Sequence, residues 1–415
     1  MDFDLLISGA GPAGLCLARA LADTGLTIGL VEQQPREALE NAAFDGREIA
    51  MTQRSASLMR ELGLWQRIHD TDPAALSPLR DAKVLNGASP FSMMIGHTLT
   101  NRSELGWLVS NHLIRRAAFA EVDAAAKAHG RITLMTGQPI TRVLSQGAAA
   151  AGSAPAAGSA GSAAGTGDMT EVLLADGTTH RARLLVAADS RLSQTRRQLG
   201  IAADMHDFGR TVIVFRTKHT ISNQHTASEC FFYGRTLALL PLEEHLTNCV
   251  ITISNTKAHE LLDLPPEQLA KEAQKMLGGR LGEMEIAGTV HTYPLMGVHA
   301  AKFYGTRCAL IGDAAVGMHP VTAHGYNLGL ESTDILSRQI LKADAAGKDI
   351  GSKDVLEVYN VQHQLHTRPL YHGTNAMVTF FTTEHAPVKL LRGAVLRVSN
   401  NLPPLKKIIS KQLTG

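Results

Sequence analysis

The stretch that decides the fold is FDLLISGAGPAG, which occupies residues 3–14. Its first half has the apolar pattern of a short buried strand, and a helical pattern follows over residues 12–24. A second apolar strand is predicted over residues 27–31, directly before Glu32. A strand, a helix and a second strand within about 30 residues are typical of a parallel βαβ unit.

The glycines between the first strand and the helix have the spacing GxGxxG. Gly9 permits a tight turn, Gly11 lets a pyrophosphate approach the backbone, and Gly14 lets the helix pack closely on the strand. The free N–H groups of the helix start would hold the diphosphate. Glu32 would accept hydrogen bonds from ribose hydroxyl groups. The alternative is a glycine turn followed by an ordinary surface glutamate.

Two later strand patterns also end at an aspartate. Asp189 follows the apolar residues 184–187, and Asp313 follows the apolar residues 308–311. Ligands of open α/β sheets bind at the carboxyl ends of strands, where each aspartate would accept from a polyol hydroxyl. A helix predicted to begin near Gly325 would stabilise negative charge on a bound ring. For each aspartate, capping of a helix stays open as the alternative.

The chain between these motifs has a different pattern. Short alternating strands and one amphipathic helix over residues 208–286 indicate a second, mainly antiparallel domain. Residues 147–167 consist only of Gly, Ala, Ser, Thr and Pro, and strand patterns flank them on both sides. We therefore expect this low-complexity segment to be a disordered hairpin tip. The region from about residue 352 is predicted to be mostly helical.

The composition excludes several other classes of protein. A net charge of +2 in 415 residues does not fit a nucleic-acid-binding protein, and no apolar run of about 18 residues predicts a membrane span. The N-terminus lacks a signal-peptide pattern, so we expect a cytoplasmic protein. The four cysteines form no CxxC pair and predict no disulfide. His363, His366 and His372 lack further ligands at metal spacing, so no metal site is expected.

Three further segments carry a family resemblance. They are DGREIAMTQRS at residues 45–55, LGWLVSN at residues 105–111 and GDAAVGMHPVTAHGYNLGL at residues 312–330. Together with the glycine motif, the chain resembles the flavoprotein aromatic hydroxylases of the p-hydroxybenzoate hydroxylase type, and within them the ubiquinone-biosynthesis hydroxylases. At the last segment it is similar to a subgroup with 5-demethoxyubiquinol hydroxylase activity. Asp189-Ser190 departs from the family's usual Asp-Gly.

The resemblance implies an FAD cofactor and a role for particular residues. Arg54 would contact the FAD phosphates or ribityl chain, although it also fits a solvated helix residue, and Asn111 would occupy a ribityl-contacting position. Asp313 would bind the ribityl hydroxyl groups, and the backbone of residues 325–328 would face the isoalloxazine. No catalytic residue is singled out. The cofactor-binding residues expected are Gly9, Gly11, Pro12, Ala13, Gly14, Glu32, Arg54, Asn111, Asp189, Gly312, Asp313, Pro320, Gly325, Tyr326, Asn327 and Leu328.

The fold class implied is α/β, with a Rossmann-like FAD-binding domain, an interleaved mainly antiparallel β-sheet substrate domain and a helical C-terminus. The FAD-binding domain is expected at residues 1–75, 100–205 and 287–350, the substrate domain at 76–99 and 206–286, and the helical region at 351–415.

The resemblance also implies a reaction. NAD(P)H reduces FAD, the reduced flavin captures O₂ as a C4a-hydroperoxide, and one oxygen atom is transferred to the aromatic ring of a polyprenylated ubiquinone precursor. Phe215, Phe231, Phe232 and Tyr233 would line an apolar channel for that substrate, although core packing is the more common role for any single one of them. Two alternatives remain: another FAD-dependent reductase or halogenase of the same fold, and a non-catalytic FAD-bound subunit of a quinone-biosynthesis complex.

The C-terminal segment is basic and apolar without acidic residues after Glu384. We expect it either to contact the inner face of an anionic membrane or to cap the protein with a solvated basic face. A homo-oligomer or a biosynthetic complex is also expected. The basic residues are Lys389, Arg392, Arg397, Lys406, Lys407 and Lys411.

Overall fold

The structure is a computed structural model that describes residues 2–86, 92–99, 102–145, 169–232, 234–319 and 324–382. The expectations for residues 147–167, Tyr233, Pro320 and the basic C-terminal residues therefore lie outside the described residues.

The described elements alternate between strands and helices along most of the chain. The strands are β1 (Asp2–Ser8), β2 (Ile28–Glu32), β3 (Glu48–Thr52), β4 (Ser77–Leu79), β5 (Asp81–Asn86), β6 (Ser92–Gly96), β7 (Gly106–Ser110), β8 (Ile132–Thr136), β9 (Ile140–Ser145), β10 (Thr170–Leu174), β11 (Thr179–Ala187), β12 (Ala203–His219), β13 (Thr226–Phe231), β14 (Arg235–Glu243), β15 (Leu246–Ser254), β16 (Met284–Ala300), β17 (Tyr304–Gly305), β18 (Cys308–Leu310) and β19 (Val316–Gly317). The helices are α1 (Pro12–Ala20), α2 (Arg36–Glu40), α3 (Gln53–Glu61), α4 (Leu64–Thr71), α5 (Asn111–His129), α6 (Gln194–Gln198), α7 (Asn255–Leu262), α8 (Pro266–Met276), α9 (Gly325–Ala345) and α10 (Lys353–Thr382).

The first sheet carries the predicted βαβ unit. Its order is β17-β18-β11-β1-β2-β8, with β10 and β9 continuing from β11. Strand β1 lies parallel to both β2 and β11, and β18 lies parallel to β11. The strand residues Leu5, Leu6 and Ile7 are fully buried, because α1, α5 and α9 cover this sheet. The carboxyl ends of β1, β11 and β18 therefore meet at one edge.

The second sheet is mainly antiparallel and has the order β19-β16-β12-β15-β14-β13-β5-β6, where only β13 and β5 pair in parallel among its described strands. One face packs on α7 and α8 through a separate apolar core that includes Phe215, Cys230 and Leu237. The other face is turned toward the first sheet, as Asn248 shows by donating to the carbonyl oxygen of Gly46 at 3.0 Å. A small third sheet, β3-β7-β4, lies between the two larger ones.

This architecture confirms the predicted α/β class with an interleaved, mainly antiparallel sheet. Helix α1 ends at Ala20 rather than near residue 24, because Thr24 closes a turn by donating its hydroxyl to the carbonyl oxygen of Leu21 at 2.6 Å. The four cysteines are buried and free. The division into domains stays a prediction, although β16 carries the second sheet from Met284 to Ala300, beyond the expected boundary at residue 287.

Candidate functional site

The glycine motif forms a close-packed turn with one open position. Gly9 has a φ of +108°, and a Cβ there would lie 2.7 Å from the carbonyl oxygen of Ala188. A Cβ on Gly14 would lie 2.0 Å from the carbonyl oxygen of Gly9, so the helix touches the strand end directly. A Cβ on Gly11 would meet only Ala188, at 3.9 Å. The space beside Gly11 is therefore open to a ligand.

The start of α1 is free to bind an anion. Gly11 is its N-cap and provides no side-chain cap, Pro12 occupies the first turn, and no acidic residue lies there. The exposed N–H groups and the helix dipole favour a negative group at this position. An open glycine beside an uncapped helix start fits the diphosphate of a dinucleotide cofactor.

Glu32 is joined to the same turn. Its carboxylate accepts hydrogen bonds from the backbone N–H of Ala10 at 2.7 Å and from that of Gln34 at 2.9 Å. The end of β2 thus fixes the glycine loop. The ribose contact expected of Glu32 stays a prediction.

The segment around Gly312 and Asp313 lies against the glycine motif of residues 9–14. Gly312 has a φ of +59°, and a Cβ there would lie 2.8 Å from the Cβ of Ala13. A Cβ on Gly329 of α9 would lie 3.5 Å from the Cα of Gly312. The backbone N–H of Gly312 also donates to the hydroxyl of Ser332 at 3.1 Å. The starts of α1 and α9 therefore converge on one edge of the first sheet.

The first turn of α9 combines an open backbone with anchored side chains. Among the described residues no atom lies within 4 Å of a Cβ position at Gly325, and the helix start carries neither a side-chain cap nor an acidic residue. Asn327 accepts from the backbone N–H of Thr52 at 3.0 Å and donates to the carbonyl oxygen of Ala50 at 2.8 Å. Leu328 is buried and packs in the core of the first sheet. The Asn327 side chain therefore fixes the helix start against β3 and leaves the backbone available for a ring.

Tyr326 points into the protein. Its ring is partly buried and its hydroxyl lies beside Cys16 of α1, where burial raises the pKa of the Cys16 thiol to about 12. This side chain ties α9 to α1. Its expected cofactor contact, through the backbone, stays a prediction.

Asp189 lies beside the start of α6, whose N-cap is Ser193, and its expected cofactor contact stays a prediction. Its carboxylate accepts from the hydroxyl of Ser193 at 2.5 Å and from the backbone N–H of Thr195 at 3.3 Å, at the start of α6. The nearby Arg196 is 1% exposed and donates to the carbonyl oxygen of Ala314 at 2.8 Å and to that of Arg191 at 3.2 Å. Arg196 thereby joins the segment after Asp189 to the segment after Asp313.

Asp313 lies at the open edge of the site. Its carboxylate is 40% exposed and pairs with the Arg191 guanidinium at 3.1 Å. A half-exposed carboxylate at the carboxyl end of a parallel strand retains oxygen lone pairs for a ligand hydroxyl. The position of Asp313 is therefore compatible with a hydrogen bond to a ribityl hydroxyl group, and this contact stays a prediction.

Arg54 and Asn111 are engaged with other side chains. Arg54 pairs with Asp334 of α9 at 3.0 Å, and its side chain is 48% exposed. Asn111 is 5% exposed and donates to Asp45 at 2.7 Å. Burial acts to raise the pKa of Asp45, but Arg47 beside it brings the pKa below its usual value. The Asp45 carboxylate is therefore held ionised under Asn111.

A buried ion pair joins the second sheet to the small third sheet. Arg216 of β12 contacts Glu48 of β3 at 2.6 Å, and Ser110 donates to the same carboxylate at 2.9 Å. The Glu48 side chain is 1% exposed, and burial raises its pKa although Arg216 opposes the rise. Tyr293 of β16 donates its phenol to the carbonyl oxygen of Asp45. Neither Glu48 nor Arg216 was expected as a site residue: Glu48 lies within the segment 45–55, where nothing marks it as half of an ion pair, and Arg216 lies in no motif.

The described residues contain no group of three His, Cys, Asp or Glu side chains able to hold a metal ion. Within the same part of the chain, no helix combines the length and the apolar character needed to cross a bilayer.

Comparisons with known proteins agree with this geometry. A family model described as an FAD binding domain matches residues 2–367. Ubiquinone hydroxylase UbiM of Neisseria meningitidis is 51% identical over 99% of this chain and 84% of that protein. Ubiquinone hydroxylase UbiL of Rhodospirillum rubrum is 30% identical over 99% and 89% of the two chains. The structure of p-nitrophenol 4-monooxygenase PnpA from Pseudomonas putida is similar in fold, with a TM-score of 0.73 and 14% identity over 99% of this chain and 98% of that one.

Proposed function

The chain belongs to the FAD binding domain family, and from this premise we propose that it is an FAD-dependent monooxygenase that hydroxylates the aromatic ring of a polyprenylated ubiquinone precursor. The expected family, the FAD cofactor and the monooxygenase class are confirmed by the family match and the named relatives. The ring substrate is inferred from relatives that are named ubiquinone hydroxylases.

The observation that carries the proposal is the convergence of three distant motifs. Gly9 packs on Ala188, and Gly312 packs on Ala13, so the ends of β1, β11 and β18 surround the start of α1. A single glycine turn would support any nucleotide. A glycine turn bounded by a half-exposed aspartate and a second uncapped helix start suits a cofactor with a diphosphate, a polyol and a ring that gains negative charge on reduction.

In this arrangement the chain's residues hold and orient the cofactor. The N–H groups after Gly11 would bind the diphosphate, Glu32 the ribose, and Asp313 the ribityl hydroxyl groups. The first turn of α9, from Gly325, would face the isoalloxazine. When bound, FAD accepts a hydride from NAD(P)H and, once reduced, activates O₂ for transfer of one oxygen atom to the ring.

The face of the second sheet that is turned toward this site is apolar at its centre. Val212, Val214 and Leu295 are buried there, with Tyr293 and Val250 packed against them. Such a surface excludes water from a reactive flavin and accepts an aromatic ring with a hydrocarbon tail. Phe231 lies on this face, whereas Phe215 packs on the opposite side of the sheet, so the predicted channel residues divide between the two faces.

The direct test is turnover by the purified full chain. The protein is loaded with FAD, given NAD(P)H, O₂ and a demethoxyubiquinol with a short isoprenoid tail, and the products are separated by mass spectrometry. We expect a product heavier by one oxygen atom, labelled when ¹⁸O₂ is supplied. NAD(P)H oxidation without that product would favour a reductase, and a bound flavin that NAD(P)H never reduces would favour the non-catalytic subunit.

We also propose a peripheral membrane contact, because the substrate class is lipid-soluble. Helix α10 leads into the basic C-terminal segment and exposes Val358, Val361 and Leu365, whose exposed fractions are 43%, 50% and 68%. Exposed apolar residues on the helix that precedes a basic segment in the sequence suit an anionic lipid surface. Truncation at about Ala386 is expected to reduce sedimentation with anionic vesicles but not with neutral ones. Unchanged sedimentation would remove the segment's role.

A further inference from the structure

A row of directly paired residues, one from each of seven neighbouring strands, crosses the second sheet. Glu229 lies within this mostly apolar row. On its two sides it pairs directly with Ala238 of β14 and Val84 of β5. Directly paired residues share a face of a sheet, so their side chains lie together. The complete row is His291, Val214, Val250, Ala238, Glu229, Val84 and Met93.

The row lies on the face that is turned toward the FAD-binding site. His291, at one end of the row, lies against Gly46, where a Cβ would come 2.7 Å from the imidazole ring. The adjacent residue Cys230 lies on the other face and packs with α7 and α8. Because neighbouring residues in a strand point to opposite faces, Glu229 faces the proposed substrate side.

The surroundings of Glu229 are apolar. Val84 and Phe231 belong to a cluster that Met377 and Phe380 of α10 join from the other side. The hydroxyl of Thr236 is the polar group that contacts the Glu229 carboxyl, and the side chain keeps partial access to solvent. Burial raises the pKa of Glu229 to about 8.

Within the described part of the chain, Glu229 forms no ion pair. The cations on its face are engaged elsewhere: Arg216 pairs with Glu48 at 2.6 Å, and Arg210 donates to the carbonyl oxygen of Gly234 at 2.9 Å. The other titratable groups on this face include His291 and Tyr293 of β16, four strands away, and the directly paired Lys218 and Glu285 at the far end of β12 and β16. A largely desolvated carboxyl that contacts one hydroxyl and no cation among the described residues leaves hydrogen-bonding capacity that a ligand can complete.

We propose that Glu229 binds a ring hydroxyl group of the aromatic substrate and, in its ionised form, accepts the proton of that hydroxyl. This inference rests on the proposed function. The O–H bond of the ring hydroxyl breaks, an O–H bond forms on the carboxylate, and the electron pair stays on the ring oxygen. The ionised ring oxygen then enriches the neighbouring ring carbons, which favours their attack on an electrophilic oxygen atom. No further reactant is needed for this step.

The test uses the full-length, FAD-loaded protein and a demethoxyubiquinol with a short isoprenoid tail as the probe. Glu229→Gln removes the base, Glu229→Asp retains it at a shorter reach, and Glu243→Gln is the matched control. Glu243 is exposed at the end of the adjacent strand β14. FAD content and thermal unfolding are measured for each variant, since correct folding is expected in all of them.

We expect Glu229→Gln to lower kcat/KM for the probe by about 10²-fold near neutral pH, within the usual contribution of a general base. Reduction of bound FAD by NAD(P)H should persist. In the unsubstituted protein, kcat/KM is expected to rise as the pH approaches the pKa of Glu229. That rise should vanish in Glu229→Gln, persist with a shifted midpoint in Glu229→Asp, and stay unchanged in Glu243→Gln.

The two ways of failing are distinct. A Glu229→Gln variant with the original kcat/KM and the original pH profile would overturn the role of Glu229 while hydroxylation itself continues. An unsubstituted protein that binds the quinol and never hydroxylates it would overturn the proposed function, and this inference with it.

Discussion

Gly9 packs directly on Ala188, so that a Cβ on Gly9 would come 2.7 Å from the Ala188 carbonyl oxygen. The same oxygen lies 3.9 Å from the Cβ position of Gly11, and no other atom of the described residues, adjoining positions aside, comes within 4 Å of it. The chain itself therefore requires glycine at residue 9, while only a ligand would require it at residue 11. This difference separates the structural and the ligand-binding roles of one motif.

Gly11→Ala should weaken FAD binding without unfolding the protein. We expect the free energy of unfolding without FAD to change by about 0.5 kcal/mol or less, because the new methyl group meets only ordinary contacts. FAD retention, measured by visible absorption after gel filtration, should fall at least tenfold. Gly9→Ala should lower both quantities, whereas Gly373→Ala, on the exposed face of α10, should lower neither. Full FAD retention in Gly11→Ala would contradict a diphosphate at this turn.

Asn327→Ala should destabilise the protein by about 1–3 kcal/mol. The substitution removes the hydrogen-bond acceptor of the Thr52 backbone N–H and the donor to the Ala50 carbonyl oxygen. Urea unfolding measures this change. FAD should also dissociate faster, since the start of α9 loses its attachment to β3. Asn41→Ala, at an exposed position after α2, is the control and should cost little. A loss at Asn327 no larger than at Asn41 would show that the bridge is dispensable.

Arg216→Met should cost about 3–5 kcal/mol near neutral pH, because it leaves the Glu48 carboxylate buried without its cation. The pKa of Glu48 is raised in the folded state, so its contribution to stability falls as the pH rises from the unfolded pKa to the folded pKa. Loss of Arg216 raises that pKa further. The cost should therefore shrink in acid, where Glu48 binds a proton.

Urea unfolding across a pH series measures this dependence. The Glu48→Gln/Arg216→Met double variant should remove it, since no carboxyl remains to titrate. Arg181→Met, which breaks an exposed pair with Asp2, is the matched control and should cost about 1 kcal/mol or less. A cost at Arg216 that is independent of pH would mean that Glu48 does not depend on it electrostatically.

His363 should make the protein sensitive to mild acid. Burial lowers its pKa to about 3, and the nearby His366 and His299 act in the same direction. The folded pKa lies below the unfolded value of about 6.5, so stability is complete above that value and is lost as the pH falls toward the folded pKa. Between about pH 7 and pH 5, the unsubstituted protein should lose about 1–2 kcal/mol more than His363→Asn.

Thermal or urea unfolding at each pH gives the slopes to compare. His69→Asn, with a side chain that is 53% exposed, should leave the acid dependence unchanged. Equal slopes for His363→Asn and the unsubstituted protein would assign the acid sensitivity to other groups.

The βαβ unit could be predicted because its signals are local. Gly9, Gly11 and Gly14 stand within a few residues of the apolar strand that they terminate, and the structure begins α1 at Pro12 as the spacing predicts. The same holds for the start of α9 at Gly325 and for the strand Ile140–Ser145. In each case the deciding interaction lies within one turn or one strand.

Long-range pairing could not be predicted in this way. Glu48 and Arg216 are separated by 168 positions, and the local sequence around either residue does not predict a contact with the other. Strand β16 extends to Ala300 because its residues pair along β12 through two irregularities in register, a relation that local periodicity does not contain. Asp189 illustrates a third limit: one short acidic side chain suits both a ligand and a helix start, and its contacts with Ser193 and Thr195 depend on the position of α6, which local sequence does not give.

The contact between Ala13 and Gly312 has a consequence for how the protein is made. The glycine loop is synthesised early, but the segment around Gly312, which packs against it, is synthesised only after most of the chain. At the usual ~5–20 residues per second, the roughly 300 intervening residues take about 15–60 s to synthesise. The nascent loop stays incomplete through that interval. We therefore expect stable flavin binding only after Gly312 has been synthesised, and we expect a chain interrupted before that residue to lose the cofactor.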